Sequence, residues 1–211
     1  HLQCPTFGLH LAERHLRASS YGVVGLACKT SRTMMDAIAL AVRYTRLIND
    51  TTETRIITRG NLVHIIDGPA DGHAPWSRQQ TEAALATYVT LGRQWADACP
   101  FPEYVAFAFP RPAHIAEYER IFRCPVLFDR PCNELAIRLD DMHRPIRYAD
   151  DEVCQFMSRR AADMLSDLNG PENLIRTIRA AIASGFVNHR TDLTDVADNL
   201  SLSPRTLQRK I

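Results

Sequence analysis

The stretch 191–211, TDLTDVADNLSLSPRTLQRKI, constrains the fold most tightly, because its capping residues and apolar spacing fit two short helices joined by a tight turn. Asp192 is placed to cap a first helix whose apolar side is Leu193, Val196, Ala197 and Leu200, and small Ala197 sits where a second helix must pass close by. Ser201 and Leu202 make the turn. Ser203 is then a good N-cap and Pro204 a good first helical residue, since proline lacks an N–H that would be unpaired there anyway. Leu207 and Ile211, four apart, turn inward, while Arg205, Thr206, Gln208, Arg209 and Lys210 lie on or beside the opposite face. Such a basic face is what a helix-turn-helix presents to the DNA major groove.

The wording VADNL-SLSPRTLQRK resembles the first helix-turn-helix of the AraC/XylS family of bacterial transcription regulators, with the match at Ala197, Leu200, Ser203, Leu207, Gln208 and Arg209. The resemblance implies that Arg205, Gln208 and Arg209 face bases and that Ser203 and Thr206 meet phosphate. Side-chain chemistry agrees, because Arg pairs bidentately with guanine and Gln with adenine, whereas hydroxyls at a helix start suit phosphate oxygens. Ser201 stands where the family often has Gly. The family's connecting helix and second unit would follow Ile211, so the chain reads as a piece of a longer polypeptide that ends in the first unit.

Charge is distributed to match. The chain carries a formal net charge of +1, yet Arg176, Arg179, Arg190, Arg205, Arg209 and Lys210 face only Glu172, Asp192, Asp195 and Asp198 in the segment 172–211. A near-neutral body with a basic tip separates DNA affinity from whatever the rest does. No window holds the roughly 18 uninterrupted apolar residues of a membrane helix, and the sequence reads as a cytoplasmic, nucleoid-associated bacterial protein with no membrane partner. An enzyme is disfavoured: there is no G-x-S-x-G, no H-E-x-x-H and no glycine-rich phosphate loop, and the adjacent pairs Asp140/Asp141 and Asp150/Asp151 suit turns or helix starts. Six scattered cysteines lack zinc spacing and read as small buried hydrophobes, with a redox pair at Cys124 and Cys132 left open. His10 and His15, five apart, suit no shared metal on one helix face. No cofactor and no metal are expected.

The first 168 residues read as mixed α/β. Helical signals cover 9–16, 33–48 (opened by Thr33 and Asp36, with an inward stripe Met34, Ile38, Ala41, Val42, Thr45 and Ile48), 77–98, 113–122 and a run opened by Asp150 and Asp151. The small-residue segment 21–27 is expected to pack closely on a neighbour. Strands are expected at 53–58 and 62–67, as a hairpin about Arg59-Gly60-Asn61, and at 103–109, 126–128 and 135–139. Asn169-Gly170-Pro171 reads as a linker. The division is thus a 1–168 sensing and dimerisation domain, α/β (α+β) with mixed helices and a small sheet, followed by a 169–211 all-α partial helix-turn-helix domain.

This first part resembles the arabinose-binding-like sensor domain of one branch of AraC-type regulators. The echoes are FGLHLAER, the S-x-T-x-x-x-A-x-x-x-x-x-RY pattern ending at Tyr44, IFRCPVLFDRPCNEL and LDDMHRPIRYAD. The resemblance implies a small-molecule effector, a homodimer, or both, double-stranded operator DNA as partner, and RNA polymerase downstream. Control by a protein partner or by dimerisation without a small ligand is the alternative. A pocket is concave and mostly apolar with a few polar anchors. The candidates to line it are Trp76, Tyr88, Trp95, Tyr104, Phe107 and Phe109, with Arg43 or Arg46 to pair a carboxylate. The wide apolar arc of the long helix (Leu85, Tyr88, Val89, Leu91, Trp95), together with Met157 and Met164, makes helices the expected face of self-association.

Overall fold

The structure is a computed structural model that describes residues 4–96 and 102–169, together with Thr194, Ala197, Pro204 and Arg205. The first 161 residues form one compact unit and 162–211 a second.

Helix starts follow their caps. The Thr33 hydroxyl accepts from the Asp36 N–H at 3.1 Å and opens α3 (Met34–Arg43). Ser77 and Gln80 exchange hydrogen bonds in a capping box at the head of α5 (Arg78–Trp95), which satisfies two otherwise unpaired donors. Ahead of these come α1 (Phe7–Arg14), a 3-10 turn (Ala18–Tyr21) and α2 (Gly22–Thr30). The close packing expected at 21–27 is present in α2, where a Cβ on Gly25 would lie 2.0 Å from the Ala18 carbonyl oxygen. The helix expected to run unbroken to residue 48 instead breaks at Tyr44 and resumes as α4 (Thr45–Ile48). Tyr44 is buried and its hydroxyl donates to the Ser158 carbonyl at 3.2 Å, an anchor that coincides with the departure of its backbone from helical geometry.

The strands are β1 (Thr52–Arg59), β2 (Leu62–Pro69), β3 (Tyr104–Ala106), β4 (Val126–Leu127) and β5 (Asn133–Arg138), in the order β1-β2-β5-β3-β4. β1 and β2 form the expected hairpin, with Arg59 opposite Leu62 and Gly60 at φ 59°, a left-handed conformation that glycine adopts without steric cost. β1 is an edge strand, and its Glu53, Arg55 and Arg59 are exposed. Among the described strands only β3 and β4 are parallel, joined through α6 (Ile115–Phe122). β3 is shorter than expected because the Asn133 side chain, not a strand carbonyl, takes the Ala108 N–H at 2.8 Å. Residue 139 leaves β5 to begin α7 (Leu139–Met142), with Asp140 and Asp141 in its first turn, where acids complement the helix dipole. Asp151 opens α8 (Asp151–Asn169).

Period-two alternation puts Val63, Ile65 and Asp67 of β2 on one face, in register with Ile56 and Thr54 of β1 and with Ile137 and Leu135 of β5. That face meets α1, α5 and α6, and the shared core includes Leu9, Leu85, Val105, Phe107, Tyr118 and Phe122. Leu85, Val89, Leu91 and Trp95 are buried inside this layer, so the apolar arc of α5 is consumed by the fold and is not a free surface for self-association. On α8, by contrast, Phe156 is 63% exposed and Val153 and Met164 are also exposed. Arg120 of α6 ties down α1, with its guanidinium on Glu13 at 2.6 and 2.8 Å.

Of the 191–211 segment, Thr194, Ala197, Pro204 and Arg205 are helical, Ala197 is buried and Arg205 is exposed. Ser203, Thr206, Gln208, Arg209 and Lys210 lie outside the described residues, as does most of the linker. Among the described residues no helix is long and apolar enough to cross a membrane.

Candidate functional site

Between the inner face of the sheet and the helices α2, α3 and α5 lies a cavity of about 400 Å³, within the usual range for small-ligand pockets. Its walls follow from the sequence patterns above. The α3 and α4 stripe residues Met34, Ile38, Ala41, Thr45 and Ile48 line it, and the first three also pack into the core. Val24 and Cys28 come from α2, Ala84, Tyr88 and Leu91 from α5, and Ile65 and Ile137 from the sheet. Most of the lining is therefore hydrocarbon.

One end is polar. Asp67 of β2 is 4% exposed and sits opposite Thr54 of β1. The Thr54 hydroxyl donates to Asp67 Oδ1 at 2.5 Å and the Tyr88 hydroxyl to Oδ2 at 3.1 Å. Burial pushes the Asp67 carboxyl above its ordinary range, against the pull of those two donors. Tyr88 is pushed up as well, first by its own burial and then by the Asp67 charge. Nearby, the Tyr21 hydroxyl donates to Thr87 Oγ1 at 3.4 Å. Trp76 contributes a buried indole N–H with no hydrogen-bond partner among the described residues, a donor whose desolvation is costly unless something accepts from it. The Cys28 thiol donates to the Ala37 carbonyl at 3.2 Å, and burial raises it to about 12, so it stays protonated. No lysine, arginine or histidine is among the described lining residues.

Of the residues proposed from sequence to line a pocket, Trp76, Tyr88 and Trp95 meet at this cavity. The others are elsewhere. Phe107 is fully buried in an aromatic cluster, with ring centroids 4.8 to 5.7 Å from Phe109, Tyr118, Phe122 and Phe128. Tyr104 lies on the opposite face of the sheet and donates to Glu134 at 2.7 Å; its hydroxyl is raised to about 12, first by desolvation and then by that carboxylate. Arg43 is exposed, 5.4 Å over the Tyr44 ring, and Arg46 is exposed on α4. Sequence reasoning passed over Asp67, Thr54 and Tyr21. An acid at a strand end reads as a boundary, but its phase with Val63 and Ile65 already placed it on the inner face. As for the cysteine pair left open, Cys124 and Cys132 are both free, and burial raises the Cys124 thiol to about 11 and the Cys132 thiol in the same direction, which works against thiolate chemistry.

The chain belongs to the AraC-type transcription regulators: residues 1–146 match the family model of the arabinose-binding domain of AraC transcription regulators, N-terminal. It is similar to the ornithine utilization regulator of Pseudomonas aeruginosa, 27% identical over 217 residues that cover 98% of this chain and 60% of that protein. It is also similar to the HTH-type transcriptional regulator VirS of Mycobacterium tuberculosis, 23% identical over 220 residues covering 100% of this chain and 62% of that one. The chain thus spans about three fifths of the length of these relatives. Among solved structures, the transcriptional regulator CdpR from Pseudomonas aeruginosa shares the fold with a TM-score of 0.62 at 20% identity, covering 99% of this chain and 67% of that one.

Proposed function

We propose that the chain is the sensor and first DNA-reading unit of a regulator that binds a small effector in the cavity and an operator through its C-terminal helix-turn-helix. The cavity carries the reading. A preformed, mostly apolar space with one polar end is what a small-molecule site requires, and a fold that needed only to be stable would close it, because voids forfeit packing energy. DNA contact is assigned to Ser203, Arg205, Thr206, Gln208, Arg209 and Lys210, with the sensor at 1–168 and the reading unit at 169–211. The protein acts as a homodimer that offers paired reading heads to paired half-sites, and the exposed Phe156 on α8 favours that arrangement. RNA polymerase is its downstream partner.

A thermal-shift screen tests the effector half, using fatty acids, sugars and amino acids, ornithine among them because a relative bears that name. A ligand at 100 times its dissociation constant adds about 2.7 kcal/mol of stability, and Ala84→Phe, which puts a ring into the space, should abolish the shift. A shift that survives Ala84→Phe places the ligand outside the cavity and refutes the reading. For the DNA half, Arg209→Ala in the full-length protein should weaken operator binding by about 1–3 kcal/mol and relax selectivity at one base pair, while Lys210→Ala acts through the salt dependence. Equal, sequence-independent losses for both would refute the assignment.

A further inference from the structure

A carboxylate at 4% exposure normally has a cation beside it, because an unpaired buried charge is among the costliest features a fold can carry. Among the described residues Asp67 has two donors, the neutral hydroxyls of Thr54 and Tyr88. Each carboxylate oxygen can accept more than one hydrogen bond, so acceptor capacity remains. The described lining supplies no positive side chain, and the two arginines of the α3–α4 region lie outside the cavity walls. Hydrocarbon from Ile65, Ile38 and Leu91 is part of the same cavity wall, and its other polar groups among the described residues are neutral.

Resting on the effector reading above, we infer that the cavity takes a small organic ammonium ion, its charged head on Asp67 and its hydrocarbon body against the α3 and α5 walls. A primary ammonium brings three donors and the missing charge together. A neutral alcohol supplies a donor without the charge. A carboxylate meets repulsion from Asp67 and finds among the described lining residues neutral donors such as the Trp76 N–H but no cation to offset its charge.

The inference also fixes a direction for pH. Burial holds Asp67 above the ordinary aspartate range, so at acid pH part of the population carries a proton there that an arriving ammonium must displace. The other titratable groups facing this space are Tyr88 from α5, Tyr21 from the 3-10 turn and Cys28 from α2, all shifted upward by burial and neutral in the range of interest. Thr54 of β1 and Asn133 of β5, which flank Asp67 across the sheet, do not titrate. Ammonium affinity should therefore rise with release of a proton as pH rises through the Asp67 titration, which lies above that of an ordinary aspartate, while alcohol affinity changes less.

Calorimetry on the whole chain with hexylamine, hexanol and hexanoate decides it. The expected result is that hexylamine binds about 10 to 100 times more tightly than hexanol, on the scale of a charge-assisted hydrogen bond, and that hexanoate is weakest. Asp67→Asn should erase the preference for the amine, so that hexylamine binds no more tightly than hexanol. Ala84→Phe, which leaves Asp67 in place, should weaken all three and guards against a folding defect in the first variant. Equal affinities for hexylamine and hexanol, or an amine preference that survives Asp67→Asn, overturn the ammonium inference and leave the effector reading standing. If none of the three binds and the library screen is also silent, both fall.

Discussion

Adding one methyl at Gly8 sets two opposing effects against each other, and their sizes decide the sign. In a helix, Gly→Ala is worth up to about 1 kcal/mol in favour of folding. At Gly8, however, the new Cβ would lie 2.2 Å from the Gln79 carbonyl oxygen and 3.0 Å from Glu82 Cβ, so α1 and α5 would have to separate. The obstacle is backbone and cannot swing aside. Overpacking of this kind costs about 1–3 kcal/mol, and separation also stretches the hydrogen bond from the Gly8 N–H to Gln79 Oε1 at 2.5 Å, worth about a further 1 kcal/mol. The net expectation is a loss of about 1–3 kcal/mol, which for a domain of this size lowers the melting temperature by about 2–4 °C per kcal/mol. Melting followed by circular dichroism measures it. Gly60→Ala is the control: nothing lies within 4 Å of its added Cβ, and only the φ of 59° resists the substitution, so Gly60→Asn should recover most of that loss whereas Gly8→Ser should not help. A Gly8→Ala protein that melts at or above the parent would show that the helix crossing yields freely, and would refute the argument.

Phe107→Ala removes a fully buried ring packed among four others and should cost about 3–5 kcal/mol, read from urea unfolding, with the midpoint lowered and the slope unchanged. Asp67 has a folded pKa raised by burial, so its contribution is most favourable below about pH 4 and declines as pH rises through the shifted value; without ligand, Asp67→Asn should gain stability over the parent at pH 7, and that gain should shrink in melts at pH 4. Among the described cysteines, exposed Cys4, whose pKa is lowered by hydrogen bonds from Thr6, should alkylate first with iodoacetamide at pH 7.5, and Cys28, buried and raised to about 12, last. Mass spectrometry over time gives the order, and early modification of Cys28 would mean that the cavity wall opens readily.

Much of the sensor was legible because its local signals agree. Thr33 with Asp36, the Arg59-Gly60-Asn61 turn and the period-two run Val63, Ile65, Asp67 each decide a short-range feature. What local pattern does not encode is the partner. The α3 stripe shows which side faces inward, but a stripe that meets a sheet and one that meets a hollow look alike, and only the sheet's distance from α3 and α5 separates them. Aromatic spacing failed for the same reason to tell Trp76 and Tyr88, at the cavity, from Phe107, whose neighbours Tyr118, Phe122 and Phe128 arrive from later in the chain. The partner of the Tyr44 hydroxyl at the helix break is Ser158, more than a hundred residues away, and no window around Tyr44 contains it.

The exposed edge of the sheet has a consequence for handling the protein. β1 offers eight residues of strand with no further strand beyond it among the described residues, long enough to recruit another chain's backbone into a continuous sheet. Glu53, Arg55 and Arg59 stand exposed along it, and a second copy docking antiparallel or parallel would have to bury or crowd those charges. Their protection weakens as salt screens them. Concentrated stocks kept at high ionic strength would thus weaken the charge protection that keeps this edge single.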